Sequence, residues 1–342
     1  MRTGTATRKL HPDPRVGLEA RGSAPISSIG FLLLPGFSLM SYASCVEPLR
    51  AANVLAQRTL YRWWHAAPGN RPAAATSGAV LVPDLSLESK APGIDLLLVC
   101  AAGNPSTFND RRILAWLRSL ARRGVIIGGV SAGPFIMAKA GLLTGRRCTV
   151  HWEHMPALQE AFPELRLTRT LFELDADRIT CSGGVAGLDM MIALITRDHG
   201  YELGAEVSDW FLHTAVREGA GPQRMDLRFR LGIGDEKLLA VLKAMEANLE
   251  MPLSRQHLAR IAGLSLRQLE RQFHKGVGRG LHAHYLALRL RRSRQLLRET
   301  SLSVLEVGVA TGFASASHFS RAFRAAFGDV PRAARQRLTS AR

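Results

Sequence analysis

The chain has 342 residues, a formal charge of +17 and an isoelectric point near 10.9, and 46% of its residues are hydrophobic. That length predicts two domains, the hydrophobic share supplies a core for each, and the charge points to a polyanionic partner, either nucleic acid or an anionic membrane surface. No run approaches the ~20 apolar residues a membrane span needs, residues 1–25 read as a disordered basic lead-in rather than a secretory signal, and the scattered Cys45, Cys100, Cys148 and Cys181 suit reduced thiols of a cytoplasmic protein with no metal or other cofactor motif.

In chain order, the continuous apolar run Ile29 to Leu34, closed by Pro35-Gly36, predicts a strand buried on both faces of a parallel sheet. Helical spacing follows from Ser38 to Gln57. Tyr61 to Trp64 reads as a strand with one buried face. Ile94 to Val99 is a further buried strand, and Asn109 to Arg123 a helix with Ile113, Leu114, Leu117 and Leu120 on one face. Val125-Ile126-Ile127 predicts another strand, ended by Gly128-Gly129, and a helix opens at Pro134. Strand alternating with helix argues for an α/β doubly wound domain over residues 26–216, with Glu202 to His213 as its last helix. Residues 217–234, rich in Arg and Gly, read as a linker. From Asp235 every apolar run has helical period, so residues 235–342 form an all-α domain. About 17 Lys and Arg stand against about 4 Asp and Glu between Met251 and Arg342, which concentrates the basic charge there as a nucleic-acid module would.

Within that domain two segments share one grammar. Leu258 to Ala262 is a short helix, Gly263 supplies a φ > 0 turn, Ser265 caps the next helix, and Leu266, Leu269 and Phe273 share its inner face. Val304 to Ala310, Gly312 and Ser315 to Ala326 repeat the pattern, with Phe319, Phe323 and Phe327 inward. Each is a helix-turn-helix with a basic outer face, and the arginine-studded helix Leu281 to Glu299 holds them apart. The run from Val309 to Arg324, with Phe327-Gly328 and Pro331, resembles the AraC/XylS transcription regulators over roughly the last 100 residues. The resemblance implies double-stranded DNA as partner, with both second helices in successive major-groove turns. It makes Arg267, Gln268 and Arg271 the first set of base-contact candidates and Ser317, His318 and Arg321 the second; the alternative for each is a solvated face that touches phosphate only. Arg289, Arg291, Arg292 and Arg294 read as phosphate contacts or a solvated face.

Gly129-Val130-Ser131-Ala132-Gly133 matches G-x-S-x-G between a buried strand and a helix, the context of a nucleophile elbow. A serine hydrolase is therefore one reading. The wider domain, from about Ile29 to His199, resembles the PfpI/class I glutamine amidotransferase-like superfamily, which implies a flavodoxin-like sheet. In that family a cysteine occupies the elbow, so Ser131 stands where the thiol would be; His151 matches the partner histidine and Glu47 the acidic residue of the first helix. A serine needs a base within ~3 Å and a group to orient that base, and no Asp is assignable to the second role. The pairing of a PfpI-like with an AraC-like domain implies a crevice that binds an effector, lined by Glu47, Gly103, Ser131, His151 and Trp152. Backbone N–H groups at the elbow suit a carboxylate, and Trp152, with Tyr42, suits a quaternary ammonium, although Trp152 also reads as plain core. Val46 to Asn53 and His151-Trp152-Glu153 are similar to regulators of glycine betaine, carnitine or arginine catabolism. The resemblance implies a homodimeric activator that works with RNA polymerase; the competing reading is an active enzyme using Ser131 and His151.

Overall fold

The computed structural model describes residues 25–85, 87, 93–300 and 302–340; all but the last residue of the lead-in, 1–24, lie outside them. The chain divides into two compact units, one of residues up to Met155 with Phe162–Gln223, the other of Pro156–Ala161 with Arg224 onward.

The first unit is built on strands β1 (Ser28–Leu33), β2 (Arg62–Ala66), β3 (Ala73–Ala74), β4 (Val80–Leu81), β5 (Leu96–Ala101), β6 (Ile126–Ser131), β7 (Arg147–Cys148), β8 (Arg166–Leu167), β9 (Phe172–Asp175) and β10 (Arg178–Cys181). Six of them form one sheet in the order β2-β1-β5-β6-β10-β9. All its pairings are parallel except that between β9 and β10. This is the flavodoxin-like, doubly wound arrangement: the strand order reverses between β1 and β5, and open sheets of this kind bind ligands beyond the carboxyl ends of the strands near that switch. Helices α1 (Leu39–Leu55), α2 (Arg111–Arg122), α3 (Gly133–Lys139), α5 (Ala186–His199) and α6 (Tyr201–Trp210) belong to this unit, while α4 (Met155–Ala161) falls mostly in the segment grouped with the second. Strand β5 is buried along its whole length, as its unbroken apolar sequence requires.

Strand β6 runs through Gly128-Gly129 to Ser131, where the sequence pattern ends it at the glycines. The reason is steric: a Cβ on Gly128 would lie 2.5 Å from Leu98 Cδ2, and one on Gly129 2.6 Å from Pro134 N. These glycines admit close packing rather than a turn. Residues 217–223, read from composition as the start of a linker, group with the α/β unit. The Arg217 side chain binds Asp189, and the Gln223 amide donates to Thr149 Oγ1, Val150 O and Thr170 O.

The second unit holds α7 (Leu227–Leu231), α8 (Glu236–Ala247), α9 (Arg255–Ala262), α10 (Leu266–Val277), α11 (Leu281–Glu299), α12 (Val304–Ala310), α13 (Ala316–Phe327) and α14 (Pro331–Ser340). It has two apolar clusters, one around Leu242, Leu269 and Phe273, the other around Val307, Phe319 and Phe323. Helix α11, ~28 Å long at 1.5 Å per residue, places Leu281 and Tyr285 in the first and Leu290, Leu296 and Leu297 in the second. Among the described residues no helix is long and apolar enough to cross a membrane.

Candidate functional site

In the helical unit, α9, the turn at Gly263 (φ 61°) and α10 form the first helix-turn-helix. Ser265 accepts from Gln268 N, and Gln268 Oε1 accepts in return from Ser265 N at 2.9 Å. This capping box engages the side-chain oxygen of Gln268, and its NH2 group makes no hydrogen bond among the described residues. Arg267 and Arg271 are exposed one turn apart, with Leu269 and Phe273 buried beneath. In the second motif α12 leads through Gly312 (φ 75°) into α13, capped by Ser315. Ser317, Arg321 and Arg324 fall on one exposed stripe at i, i+4, i+7, as Arg267, Arg271 and His274 do on α10. The His318 ring packs edge-on against Phe313 at 5.5 Å. Arg267, Arg271 and Arg321 form no ion pair among the described residues, so three guanidinium groups stand open to bases or phosphates. If Arg321 reads a base, Arg321→Ala weakens specific binding by ~1–3 kcal/mol and leaves binding to random DNA nearly unchanged. Competition titrations against both duplexes check this; equal losses would make Arg321 a phosphate contact.

The arginines of α11 are not one class. Arg289 donates to Thr311 O at 2.7 Å and Gly312 O at 2.6 Å, and its guanidinium lies 4.2 Å from the Phe313 ring centroid. It therefore clamps the turn of the second motif, where the sequence suggested a phosphate contact or a solvated face. Arg294 lies over Phe327 at 5.1 Å, and Arg291 is exposed.

In the α/β unit, Ser131 ends β6 with φ 61° and is 7% exposed. A positive φ at a buried non-glycine residue is sparsely populated, and it is the backbone of a nucleophile elbow. The surroundings leave no room for larger residues: a Cβ on Gly133 would lie 2.1 Å from Val99 O, and one on Gly183 2.7 Å from Ser131 Cβ and 2.9 Å from Ser41 Oγ. His151 is drawn to the elbow through its backbone, His151 N donating to Ser131 O at 3.2 Å. Its ring lies 5.4 Å from that of Trp152, which is 39% exposed, and 3.8 Å separates its Nδ1 from Glu153 Oε2. Among the described residues the Ser131 hydroxyl has no hydrogen-bonded base. Gly103 (φ 71°) lies just past the end of β5, which pairs Ala101 with Ser131.

Two expected members of the crevice sit differently. Glu47 lies on α1 about 120° round the helix from Ser41, half-exposed and bonded to Arg50 at 2.7 Å. Ser41 is the α1 residue at the elbow, its Oγ accepting from Gly184 N at 2.8 Å. Tyr42 is buried: its hydroxyl meets His65 Nε2 at 2.7 Å, and Phe31 and Phe37 pack edge-to-face with its ring. The elbow also offers few anion donors. Ala132 N already donates to Ala101 O and residue 134 is proline, which leaves Gly133 N–H. The thiols are not substitutes for the missing nucleophile, since burial pushes Cys100 and Cys181 up to about 12. The pair Gly183-Gly184 after β10 is the sequence signal that would have located the third wall of the site.

Asp189, on α5, is fully buried. Its Oδ1 accepts from His213 Nε2 and Arg217 N, both at 2.8 Å, and its Oδ2 from Arg217 Nε at 3.0 Å and Nη2 at 2.5 Å. Sequence reasoning missed this group because its members are 24 and 28 residues apart, with no periodic relation.

Comparison with known proteins agrees with both halves. A helix-turn-helix domain family matches residues 258–337 and the DJ-1/PfpI family residues 28–197. The HTH-type transcriptional regulator GlxA of Rhizobium meliloti is 47% identical over 319 residues, 93% of this chain and 98% of that protein. The HTH-type transcriptional regulators GbdR and ArgR of Pseudomonas aeruginosa are 44% and 39% identical over 90% and 89% of this chain, and 84% and 91% of their own lengths. With a DJ-1/PfpI domain joined to an AraC-type helix-turn-helix domain, and near-full-length identity of this order, the chain belongs to the HTH-type transcriptional regulators and is a DNA-binding protein.

Proposed function

We propose that the α/β unit senses a small zwitterionic amine or amino-acid-like metabolite in the crevice beyond β1, β5 and β6, and that occupancy sets how the DNA-binding unit acts at a promoter. Ser131, Gly103, His151 and Trp152 surround the ligand, with Ser41 closing the α1 side. The regulator works as a homodimer on two copies of a bipartite DNA site and activates transcription with RNA polymerase. The observation that supports sensing over catalysis is Ser131. It keeps the strained elbow backbone, yet among the described residues its hydroxyl lacks the base a serine nucleophile needs. An elbow retained without its base suits a binding site. The partly exposed Trp152 ring suits an ammonium group, an attraction of ~0.5–2 kcal/mol.

Thermal unfolding of the full chain against betaines, carnitine, basic amino acids and polyamines tests this. A true effector at ~100 times its Kd adds ~2.7 kcal/mol of stability, and the shift shrinks in Trp152→Ala. A flat panel removes the amine reading. The second reading, a hydrolase, has the positive φ of Ser131 in its favour. It requires an acyl-enzyme burst on an activated ester that Ser131→Ala abolishes; the expected result is no burst.

A further inference from the structure

The outer face of α2, in the α/β unit, carries Arg111, Arg112, Arg118 and Arg122, with Arg123 at its C-cap, all exposed, and no acidic residue lies within the helix. At 100° per residue the five fall within an arc of about 140°, opposite the buried Ile113, Leu117 and Leu120. None forms an ion pair among the described residues, whereas six other arginines of the same unit, Arg50, Arg146, Arg147, Arg178, Arg197 and Arg217, are each held by a carboxylate. The acid next in sequence, the N-cap Asp110, is turned to the backbone, accepting from Arg112 N and Ile113 N. Arg111 and Arg112 occupy the first turn, where the helix dipole disfavours cations. The dipole favours Arg122 in the last turn, but helix stability gives no reason for Arg111, Arg112 and Arg118.

We propose that the arginine face of α2 is a second DNA-contacting surface, which binds phosphodiester backbone outside the bases read by the helix-turn-helix motifs. Its charge spans about 18 Å along the helix axis, a length over which duplex DNA presents about ten phosphates. Guanidinium forks match phosphate oxygens in geometry. The second unit already holds DNA, and a tethered second site experiences an effective concentration in the millimolar range. Phosphate contacts too weak to matter alone then add to the whole. DNA is favoured over an acidic protein because it is the partner already bound and its charge is continuous.

The test is Arg111→Gln/Arg118→Gln/Arg122→Gln in the full chain, with anisotropy titrations of a labelled duplex of generic sequence from ~50 to ~200 mM salt. Each lost phosphate contact lowers the slope of log K against log salt by ~0.9, so the slope is expected to fall by about 2–3, and the triple lysine variant to restore most of it. A control triple, Arg62→Gln/Arg71→Gln/Arg169→Gln, removes the same charge from exposed positions of this unit and is expected to leave the slope nearly unchanged. An unchanged slope in the α2 variant overturns the proposal, and so does an equal fall in the control. A loss of promoter activation with an intact slope also overturns it and assigns the face to a protein partner.

Discussion

Replacing Asp189 with alanine lowers the stability of the α/β unit by about 3 kcal/mol, the lower end of the ~3–5 kcal/mol expected when one member of a buried ion pair is removed. The lower end applies because the Arg217 and His213 side chains are 39% and 19% exposed, so water reaches both once the carboxylate is gone. For a unit of roughly 200 residues the midpoint falls by about 6–12 °C. All five tryptophans, Trp63, Trp64, Trp116, Trp152 and Trp210, lie in this unit, so their fluorescence follows its unfolding in the full chain. Arg217→Ala leaves Asp189 buried with only His213 and the Arg217 backbone N–H as donors, and is also strongly destabilising. The double variant costs less than the sum of the two, because the second change removes a charge the first has stranded. A loss under 1 kcal/mol for Asp189→Ala would reduce the pair to the weak surface kind.

The alternation of buried runs with amphipathic helices and the two helix-turn-helix grammars were legible because both are periodic and local. Leu269 and Phe273, and Phe319 and Phe323, declare their inward face by spacing alone. The elbow was legible through its short motif, and the strain at Ser131 bears the motif out. What spacing could not carry was the meaning of residues set by distant partners. Gly128 and Gly129 look like a strand stop, yet they stay in β6 because Leu98 and the start of α3 leave no space for a Cβ. Glu47 has the right chemistry for the crevice but the wrong helical phase, and a neutral Ser41 stands at the elbow instead. Arg217 reads as linker charge until Asp189 appears beside it.

Arg289 is the sharpest case, since a basic helix in a DNA-binding domain invites a phosphate role for every arginine on it. Burial lowers its guanidinium from the ordinary value, although it remains the cation at neutral pH. It bonds to the carbonyls of Thr311 and Gly312 and stacks on Phe313, while the α11 side chain one turn on, Ser293, meets Thr311 Oγ1 at 3.0 Å. These contacts fix the turn that aims α13. A Cβ at Gly312 would lie 2.7 Å from both Leu249 O and Pro252 Cδ, so the turn has little freedom to reorganise if the clamp is lost. Hydrogen bonds from a charged donor contribute about 1.5–3 kcal/mol and the stacked cation about 0.5–2. Arg289→Ala therefore costs the second motif about 3–4 kcal/mol. In the free protein, amide exchange across residues 304–312 should quicken at least 100-fold, with specific DNA binding falling alongside it. Arg289→Lys recovers only part of this, because an ammonium cannot supply the two parallel N–H groups. A phosphate-contact role predicts the opposite pattern: unaltered exchange in the free protein and a salt slope lower by ~0.9.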